Sequence, residues 1–147
     1  MLDQLEELYR DVILEHFAHP THTGELPEAQ IKAQGDNPLC GDALTFHLQL
    51  DGGRIARARF LGKGCAISQA AASMLAGQLE GKTLEEARGL VGVMKALMQG
   101  QAPASSVDLG DLEALAGVRK FPVRVKCAAL SWNVVEHGLE EYAHGRH

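Results

Sequence analysis

The chain has 147 residues, of which 46% are hydrophobic and 22% are charged, and its formal net charge is −5. This size and composition predict one soluble domain over residues 1–147. The negative charge and the lack of a basic run argue against a nucleic-acid partner. No apolar stretch approaches the roughly 20 residues that cross a bilayer, and the acidic N-terminal stretch does not resemble a signal peptide. We therefore expect a cytoplasmic protein that binds neither nucleic acid nor membrane.

The first predicted element is a helix over residues 2–18, where apolar side chains recur at helical spacing up to Pro20. Residues 19–41 carry prolines, glycines and few apolar side chains, which is typical of a long loop. Residues 44–50 and 54–60 alternate between apolar and polar side chains, with apolar residues at even positions in both segments. The Asp-Gly-Gly sequence at 51–53 lies between them. This pattern predicts a β-hairpin.

The sequence predicts mainly helices in the second half of the chain. The segments are, in order, a helix over 67–79, a helix over 84–98 with a capping box at Thr83, a short helix from Asp108 to Gly117, an extended segment over 121–125 and a last helix through 130–142. The predicted fold class is α+β. It has a small antiparallel sheet, made of the hairpin and a short third strand, with helices packed on one face.

Three cysteines are an odd number, which argues against a disulfide framework and favours a metal site or free thiols. The hairpin register indicates where two of them lie. A three-residue turn at 51–53 places Asp42 opposite Gly62 and Cys40 opposite Gly64, next to Cys65. A register shifted by one pair still leaves Cys40 beside Cys65.

The third thiol fits the same site. Cys65 and Cys127 are both expected at the start of a helix, where positive potential favours a thiolate. Three thiolates and the carboxylate of Asp42 would suit tetrahedral zinc, and sulfur ligands also suit iron. There is no Cys-x-x-Cys pair, so two simpler interpretations stay open. Cys65 and Cys127 could be small buried hydrophobic residues, and Asp42 could be a turn residue that bonds to its own backbone.

The histidines give a weaker signal. His16 is expected to be a solvated or capping side chain, and the histidines near the C-terminus are expected to be exposed. A nucleophilic triad of a cysteine with His47 and Asn133 is conceivable, but strand alternation directs His47 away from the cysteines.

Three motifs together resemble a known family. NPLCGD, GKGCAISQAAASML and VKCAALSW are similar to the U-type iron–sulfur cluster assembly proteins, the IscU/SufU family, and the resemblance covers nearly the whole chain. The family pattern implies one metal site formed by Cys40, Asp42, Cys65 and Cys127. It also implies an α+β fold, a cysteine desulfurase as partner, and downstream iron–sulfur assembly proteins as acceptors.

Departures from the family pattern favour the SufU type. IscU-type proteins carry a histidine before the third cysteine, whereas this chain has Lys126, which could offset charge near the site. The chaperone-binding segment of IscU-type proteins has no match at 121–125, which argues against an Hsp70-class partner. The stretch SSVDLGDLEAL, within residues 90–115, looks like the insertion of SufU-type members.

The resemblance implies zinc-dependent acceptance of persulfide sulfur and its relay towards cluster assembly, a sulfurtransferase-like role rather than that of a stand-alone enzyme. Since zinc masks thiolate lone pairs, one ligand must detach, and Cys40 on a glycine-flanked loop is our first choice, with Cys127 as the alternative. A second hypothesis is a scaffold that assembles and transfers a transient [2Fe–2S] cluster on the same ligands. A third is an interaction module with a purely structural zinc.

Overall fold

The computed structural model describes residues 7–38, 41–101 and 108–145, with side chains from residue 9 onward in those ranges. The elements in chain order are α1 (Glu7–Ala18), β1 (Ile31–Asn37), β2 (Asp42–Asp51), β3 (Arg54–Lys63), α2 (Ala66–Leu79), α3 (Leu84–Met98), a 3₁₀ helix (Gly110–Lys120) and α4 (Pro122–Ala143). The strands form one antiparallel sheet in the order β1-β2-β3. The predicted α+β fold is therefore confirmed. No helix in the described ranges is both long and apolar enough to cross a membrane.

The hairpin of β2 and β3 has a two-residue turn. Gly52 and Gly53 adopt φ angles of 60° and 79°, the left-handed values that a type I′ turn requires and that glycine adopts most readily. Phe46 pairs with Phe60, which is the shifted register of the two that the sequence allows. A bulge then follows, because Gln49 pairs with Arg57 but Leu50 pairs with Ile55.

This bulge corrects the predicted alternation near the turn. Ala56 is the unpaired extra residue, so it is exposed, and Ile55 enters the core in its place. Beyond the bulge the predicted face is right, since Ala58 and Phe60 are buried.

The third strand is not where the sequence placed it. Residues 31–37, predicted as loop, form β1 and pair with β2 from Ile31↔Leu48 to Asn37↔Asp42. Ile31 and Ala33 are buried while Lys32 and Gln34 are exposed, so the segment alternates as an edge strand does. The prolines of the predicted loop all lie outside these seven residues, where they disturb no ladder bond.

The predicted extended segment at 121–125 is instead the start of α4. Pro122 occupies the first helical position. An N–H group there has no partner within the helix, so its absence in proline costs no hydrogen bond. α4 packs across the inner face of β1 and β2 and also contacts α2 and α3. The helices thus lie on one face of the sheet, as predicted.

The remaining helices agree with the sequence in position. The capping box at Thr83 is present: the Glu86 N–H donates to Thr83 Oγ1 at 3.1 Å, and the Thr83 N–H donates to Glu86 Oε1 at 2.9 Å. The predicted short helix is a 3₁₀ helix that continues past Gly117 to Lys120, and Asp108 Oδ1 accepts the Gly110 N–H just before it.

α2 is the central helix of the core, with ten of its fourteen residues buried. A polar connection fixes it to its neighbours. His16 on α1 bonds to the buried Ser73 of α2 at 2.8 Å and to Asp111 of the 3₁₀ helix at 2.8 Å. The Thr21 N–H also donates to Ser73 Oγ, at 2.9 Å. His16 was expected to be solvated or capping; it instead links three helices, and this holds α2 in position.

The free edge of β3 is closed by the segments that follow and precede it. Glu80, at the end of α2, accepts the Ala58 N–H at 2.9 Å and the Arg59 guanidinium at 2.8 Å, and it bonds to His22 at 3.1 Å. Partial burial acts to raise the pKa of Glu80. The Ala58 N–H, Arg59 and His22 outweigh it and hold the pKa of Glu80 below its ordinary value.

Glu80→Gln is expected to reduce the acid sensitivity of the fold. Because the carboxylate has a lowered pKa in the folded state, its contribution is present above the unfolded-state pKa near 4.5 and is lost as the pH falls through the folded value. The variant should be less stable than the wild type at neutral pH and should lose less stability on acidification. Urea unfolding across a pH series measures both. The control is Glu28→Gln at an exposed position. If the free energy of unfolding depended on pH in the same way in both variants, the stabilising role of Glu80 would be contradicted.

Gly138→Ala and Gly92→Ala form a second test, of how α4 packs on β1. A Cβ at Gly138 would lie 2.9 Å from both Ala33 Cβ and Ile31 Cγ2, whereas a Cβ at Gly92 would meet nothing within 4 Å. We expect Gly138→Ala to destabilise by about 1–3 kcal/mol through overpacking. Gly92→Ala should stabilise by about 0.5–1 kcal/mol, since alanine is the better helix former. Urea denaturation of both variants would show opposite signs, and a stabilising Gly138→Ala would contradict this packing.

Candidate metal centre

Asp42 is the first residue of β2 and lies on the inner face of the sheet. Its side chain is only 1% exposed. Its Oδ1 atom accepts the backbone N–H of Cys65 at 2.8 Å, and its Oδ2 atom lies 3.7 Å from Cys65 Sγ. The carboxylate therefore connects the start of β2 to the start of α2. The interpretation of Asp42 as a turn residue that bonds to its own backbone does not describe these contacts.

Cys65 is the N-cap residue of α2, as the sequence predicts. It has extended backbone angles, φ −75° and ψ 166°, and its side chain makes no capping bond. The Cys65 carbonyl accepts bonds from the Gln69 N–H at 3.2 Å and from Ser68 Oγ at 3.1 Å. Its thiol is therefore not used in forming the helix and is partly exposed.

Cys127 is not at the start of its helix. Since α4 begins at Pro122, Cys127 lies in the second turn, and its Sγ atom contacts the Val123 carbonyl oxygen at 3.6 Å. The prediction that the positive potential of a helix N-terminus favours the Cys127 thiolate is therefore wrong. Cys127 is fully buried, and it reaches the site because α4 crosses the inner face of the sheet.

The structure brings three of the four predicted ligands together. One ligand atom each of Asp42, Cys65 and Cys127 lies within 4.8 Å of the others. Ligands around tetrahedral zinc, with Zn–S bonds of about 2.3 Å, are about 3.8 Å apart. Two sulfurs and one carboxylate oxygen therefore need to move inward by only about 1 Å or less to hold such an ion. This donor set fits zinc or iron.

Cys40, the fourth predicted ligand, lies outside the described residues, and its role stays a prediction. Chain connectivity sets one limit, since two residues span at most about 7 Å between Cys40 and Asp42. On the described side, Asn37 pairs with Asp42, so the connection that contains Cys40 begins and ends at the site.

The site lies near the surface. Val123, one turn before Cys127, is 66% exposed and is among the most exposed large hydrophobic side chains of the described residues. Gly64 and Lys126 are exposed as well. A protein partner could therefore approach the thiols from this side, and the Lys126 ammonium is on the surface, where it can contribute positive charge.

No histidine belongs to this cluster in the described part of the chain. His47 is on the outer face of β2, where its Nδ1 atom accepts the Leu26 N–H at 2.8 Å. Partial burial and the nearby charge of Lys32 lower the pKa of His47. Asn133 is exposed on α4, so a triad with His47 finds no support in the geometry.

Sequence reasoning missed the structural role of Asp42. The hydrogen bond from the Cys65 N–H spans 23 positions of sequence, and no local pattern marks a bond of that length. The close approach of Gly64 was foreseen in outline, because glycine beside the cysteine leaves room for a neighbouring group. A Cβ on Gly64 would overlap the Asp42 carboxylate.

Comparison with known proteins agrees with the motifs. The family described as NifU-like N-terminal domain matches residues 8–128. A Bacillus subtilis protein named zinc-dependent sulfurtransferase SufU is 44% identical over 135 residues, covering 92% of this chain and 91% of the relative. A Streptococcus pyogenes protein named iron–sulfur cluster assembly scaffold protein IscU is 37% identical and covers 99% of this chain and 91% of its own length.

A solved structure shares the fold. It comes from Fervidobacterium islandicum AW-1 and is described as a candidate iron–sulfur cluster assembly scaffold protein for the SUF system. It superposes with a TM-score of 0.83 at 32% identity and covers 88% of this chain and 94% of its own.

Gly64→Ala tests the geometry of the cluster. Gly64 has a φ of 134° and its Cβ would displace the Asp42 carboxylate, whereas Gly53 has a φ of 79° and open space around it. Both alanine variants carry backbone strain, but only Gly64→Ala should also disturb the ligand atoms. We expect it to lose about 1–3 kcal/mol of stability beyond the loss in Gly53→Ala. It should also weaken zinc binding by about tenfold or more. Urea unfolding and a chelator competition measure the two effects, and equal zinc affinities in the two variants would contradict the geometry.

Proposed function

The chain belongs to the NifU-like N-terminal domain family, and from this membership we propose that it serves iron–sulfur cluster biosynthesis by accepting persulfide sulfur from a cysteine desulfurase. The observation that carries the proposal is the cluster of Asp42, Cys65 and Cys127 within 4.8 Å. The relative with 44% identity is named a zinc-dependent sulfurtransferase, which is the activity that such a thiol-rich cluster suits. Its partners would be the desulfurase and downstream iron–sulfur assembly proteins.

We assign the metal to Cys40, Asp42, Cys65 and Cys127. Zinc, when bound by these residues, would keep the thiols deprotonated at neutral pH. The contacts of the described ligands support Cys40 as the ligand that detaches. Asp42 and Cys65 are joined through the backbone N–H of Cys65, and Cys127 is buried in α4. Cys40 is in the connection between β1 and β2, so it is the thiol whose movement would disturb the core least.

The proposed step transfers one neutral sulfur atom. The Cys40 thiolate attacks the outer sulfur of the desulfurase persulfide, and a new S–S bond forms on Cys40. The S–S bond of the desulfurase breaks, and its cysteine leaves with the electron pair as a thiolate. The proton of the outer sulfur stays on it or passes to solvent, so no external oxidant or reductant is needed. The product on Cys40 is a persulfide, which the chain relays onward.

This chemistry requires reduced thiols, so we propose a cytoplasmic location. The chain is then a persulfide relay whose turnover depends on its two partners. The scaffold hypothesis keeps a specific observation in its favour, because relatives such as the streptococcal protein are named as scaffolds. In that case a [2Fe–2S] cluster would be the cargo of the same ligands.

Cys40→Ala is the decisive variant. With a cysteine desulfurase and cysteine supplied, the zinc-loaded wild type should gain the mass of one sulfur atom and should stimulate desulfurase turnover. Cys40→Ala should accept sulfur about a hundredfold more slowly or worse, as expected when a nucleophile is removed. It should keep its fold, because the substitution leaves every residue of the described hydrophobic core in place. Mass spectrometry under non-reducing conditions measures the transfer.

Cys127→Ala is the matched control, since it removes a buried thiol of the cluster rather than the proposed nucleophile. It should lose zinc affinity and stability together. Normal sulfur acceptance by Cys40→Ala would sink the assignment of the nucleophile. Anaerobic reconstitution with iron and sulfide distinguishes the scaffold hypothesis from the persulfide relay. A stable cluster that passes to an apo-protein, together with no stimulation of the desulfurase, would favour the scaffold.

A further inference from the structure

A buried polar group without a hydrogen-bond partner lies on α2, one turn after Cys65: the side-chain amide of Gln69. Its Nε2 atom is buried and has no hydrogen-bond partner among the described residues. Every other buried side-chain nitrogen or oxygen atom in those ranges has a partner. A buried amide N–H without an acceptor destabilises the folded state, so such a group calls for an explanation.

The position of Gln69 directs its amide towards the site. Gln69 follows Cys65 by four residues, and the two therefore share a face of α2. Long side chains on a helix lean towards its N-terminus, which here means towards Cys65. The Nε2 atom lies 3.3 Å from the place where a Cβ on Gly62 would be. The glycine at 62 thus leaves the space in which the amide sits.

The strand gives the distance to the cluster. Gly62 lies near the end of β3 and Gly64 is the first residue after the strand, so their Cα atoms are at most about 7 Å apart. Gly64 is in contact with the Asp42 carboxylate. The amide therefore lies near the cluster, and its NH₂ group is a hydrogen-bond donor that offers no lone pair to a cation. A persulfide extends a cysteine by one S–S bond of about 2.05 Å, which moves an outer sulfur beyond the ligand cluster.

We propose that the Gln69 amide donates a hydrogen bond to the outer sulfur that the site receives and holds it in place for relay; this inference rests on the proposed function. The ligands around that sulfur are two thiols and a carboxylate, all anionic when deprotonated, so the sulfur needs a donor that adds no negative charge. A carboxamide is such a donor at every pH of interest. Gln69 is a positioning residue in this proposal, because it forms and breaks no covalent bond and transfers no proton.

Gln69→Met tests the inference, because methionine has similar volume and no N–H donor. The exposed Gln34→Met is its matched control. We expect Gln69→Met to keep zinc affinity within about twofold of wild type and to be no less stable in urea, since a buried unpaired donor is gone. Sulfur acceptance should fall by about tenfold, the effect of one lost hydrogen bond.

A second readout separates positioning from a purely structural role. The pH profile of alkylation of the transferred persulfide should shift upward by about one pH unit in Gln69→Met, because its anion loses a donor. Gln69→Asn, which keeps the donor on a shorter side chain, should recover part of both effects.

Two outcomes would overturn the inference. If wild type accepts sulfur and Gln69→Met matches it in rate and alkylation profile, Gln69 has no such role while the proposed function stands. If the zinc-loaded wild type accepts no sulfur at all, the proposed function fails and this inference fails with it.

Discussion

The hydrogen bond between the Asp42 carboxylate and the Cys65 backbone N–H joins the two halves of the site. Asp42 begins β2 and Cys65 begins α2, so this contact of 2.8 Å holds a strand start against a helix start. Gly64 permits it, because any side chain there would occupy the space of the carboxylate. The same carboxylate has a second oxygen 3.7 Å from Cys65 Sγ, which is available to an ion. One residue thus fixes the geometry and contributes to the donor set.

The rest of the fold keeps α2 where that contact requires it. α2 is buried along most of its length, and His16 and Thr21 bind its Ser73 from α1 and the following loop. Its far end is held through Glu80, which closes the free edge of β3. Because α2 is fixed at both ends, Cys65 has little freedom to move. A thiol that moves during a transfer reaction would then lie outside α2, as the proposed nucleophile Cys40 does in the sequence.

The sequence predicted the fold class, the helices and the convergence of distant residues, because these follow from periodicity and register. The hairpin register placed Asp42 at the same end of the hairpin as Cys65, and it placed Cys40 beside Cys65 whichever register applied. The errors arose where a local pattern was weak. The short run at 31–37 reads as loop because its glycine and polar residues hide the two buried positions, Ile31 and Ala33. Its strand character depends on pairing with β2, which no local property of the segment records.

The error at 121–125 has a related cause. A proline followed by Val123 and Val125 resembles an extended segment, yet Pro122 is also suited to the first turn of a helix. Packing of α4 on the sheet decides between the two. The consequence reaches the site, because Cys127 then belongs to the second turn and not to the positive end of the helix.

The electrostatics of the cluster favour the binding of a cation. Asp42 and Cys127 are buried, and Cys65 is partly so. When all three are deprotonated, three negative charges lie within 4.8 Å in a region that excludes much of the water. Such a group is unstable unless protons or a cation neutralise it.

With no histidine in the cluster among the described residues, every ligand that loses a proton adds charge. A divalent ion would therefore neutralise more ligand charge here than in a site with neutral ligands. Its binding should be coupled to proton release and to folding. The same charge favours a relay in which sulfur arrives as a neutral atom on a thiolate and the number of negative charges at the site does not rise.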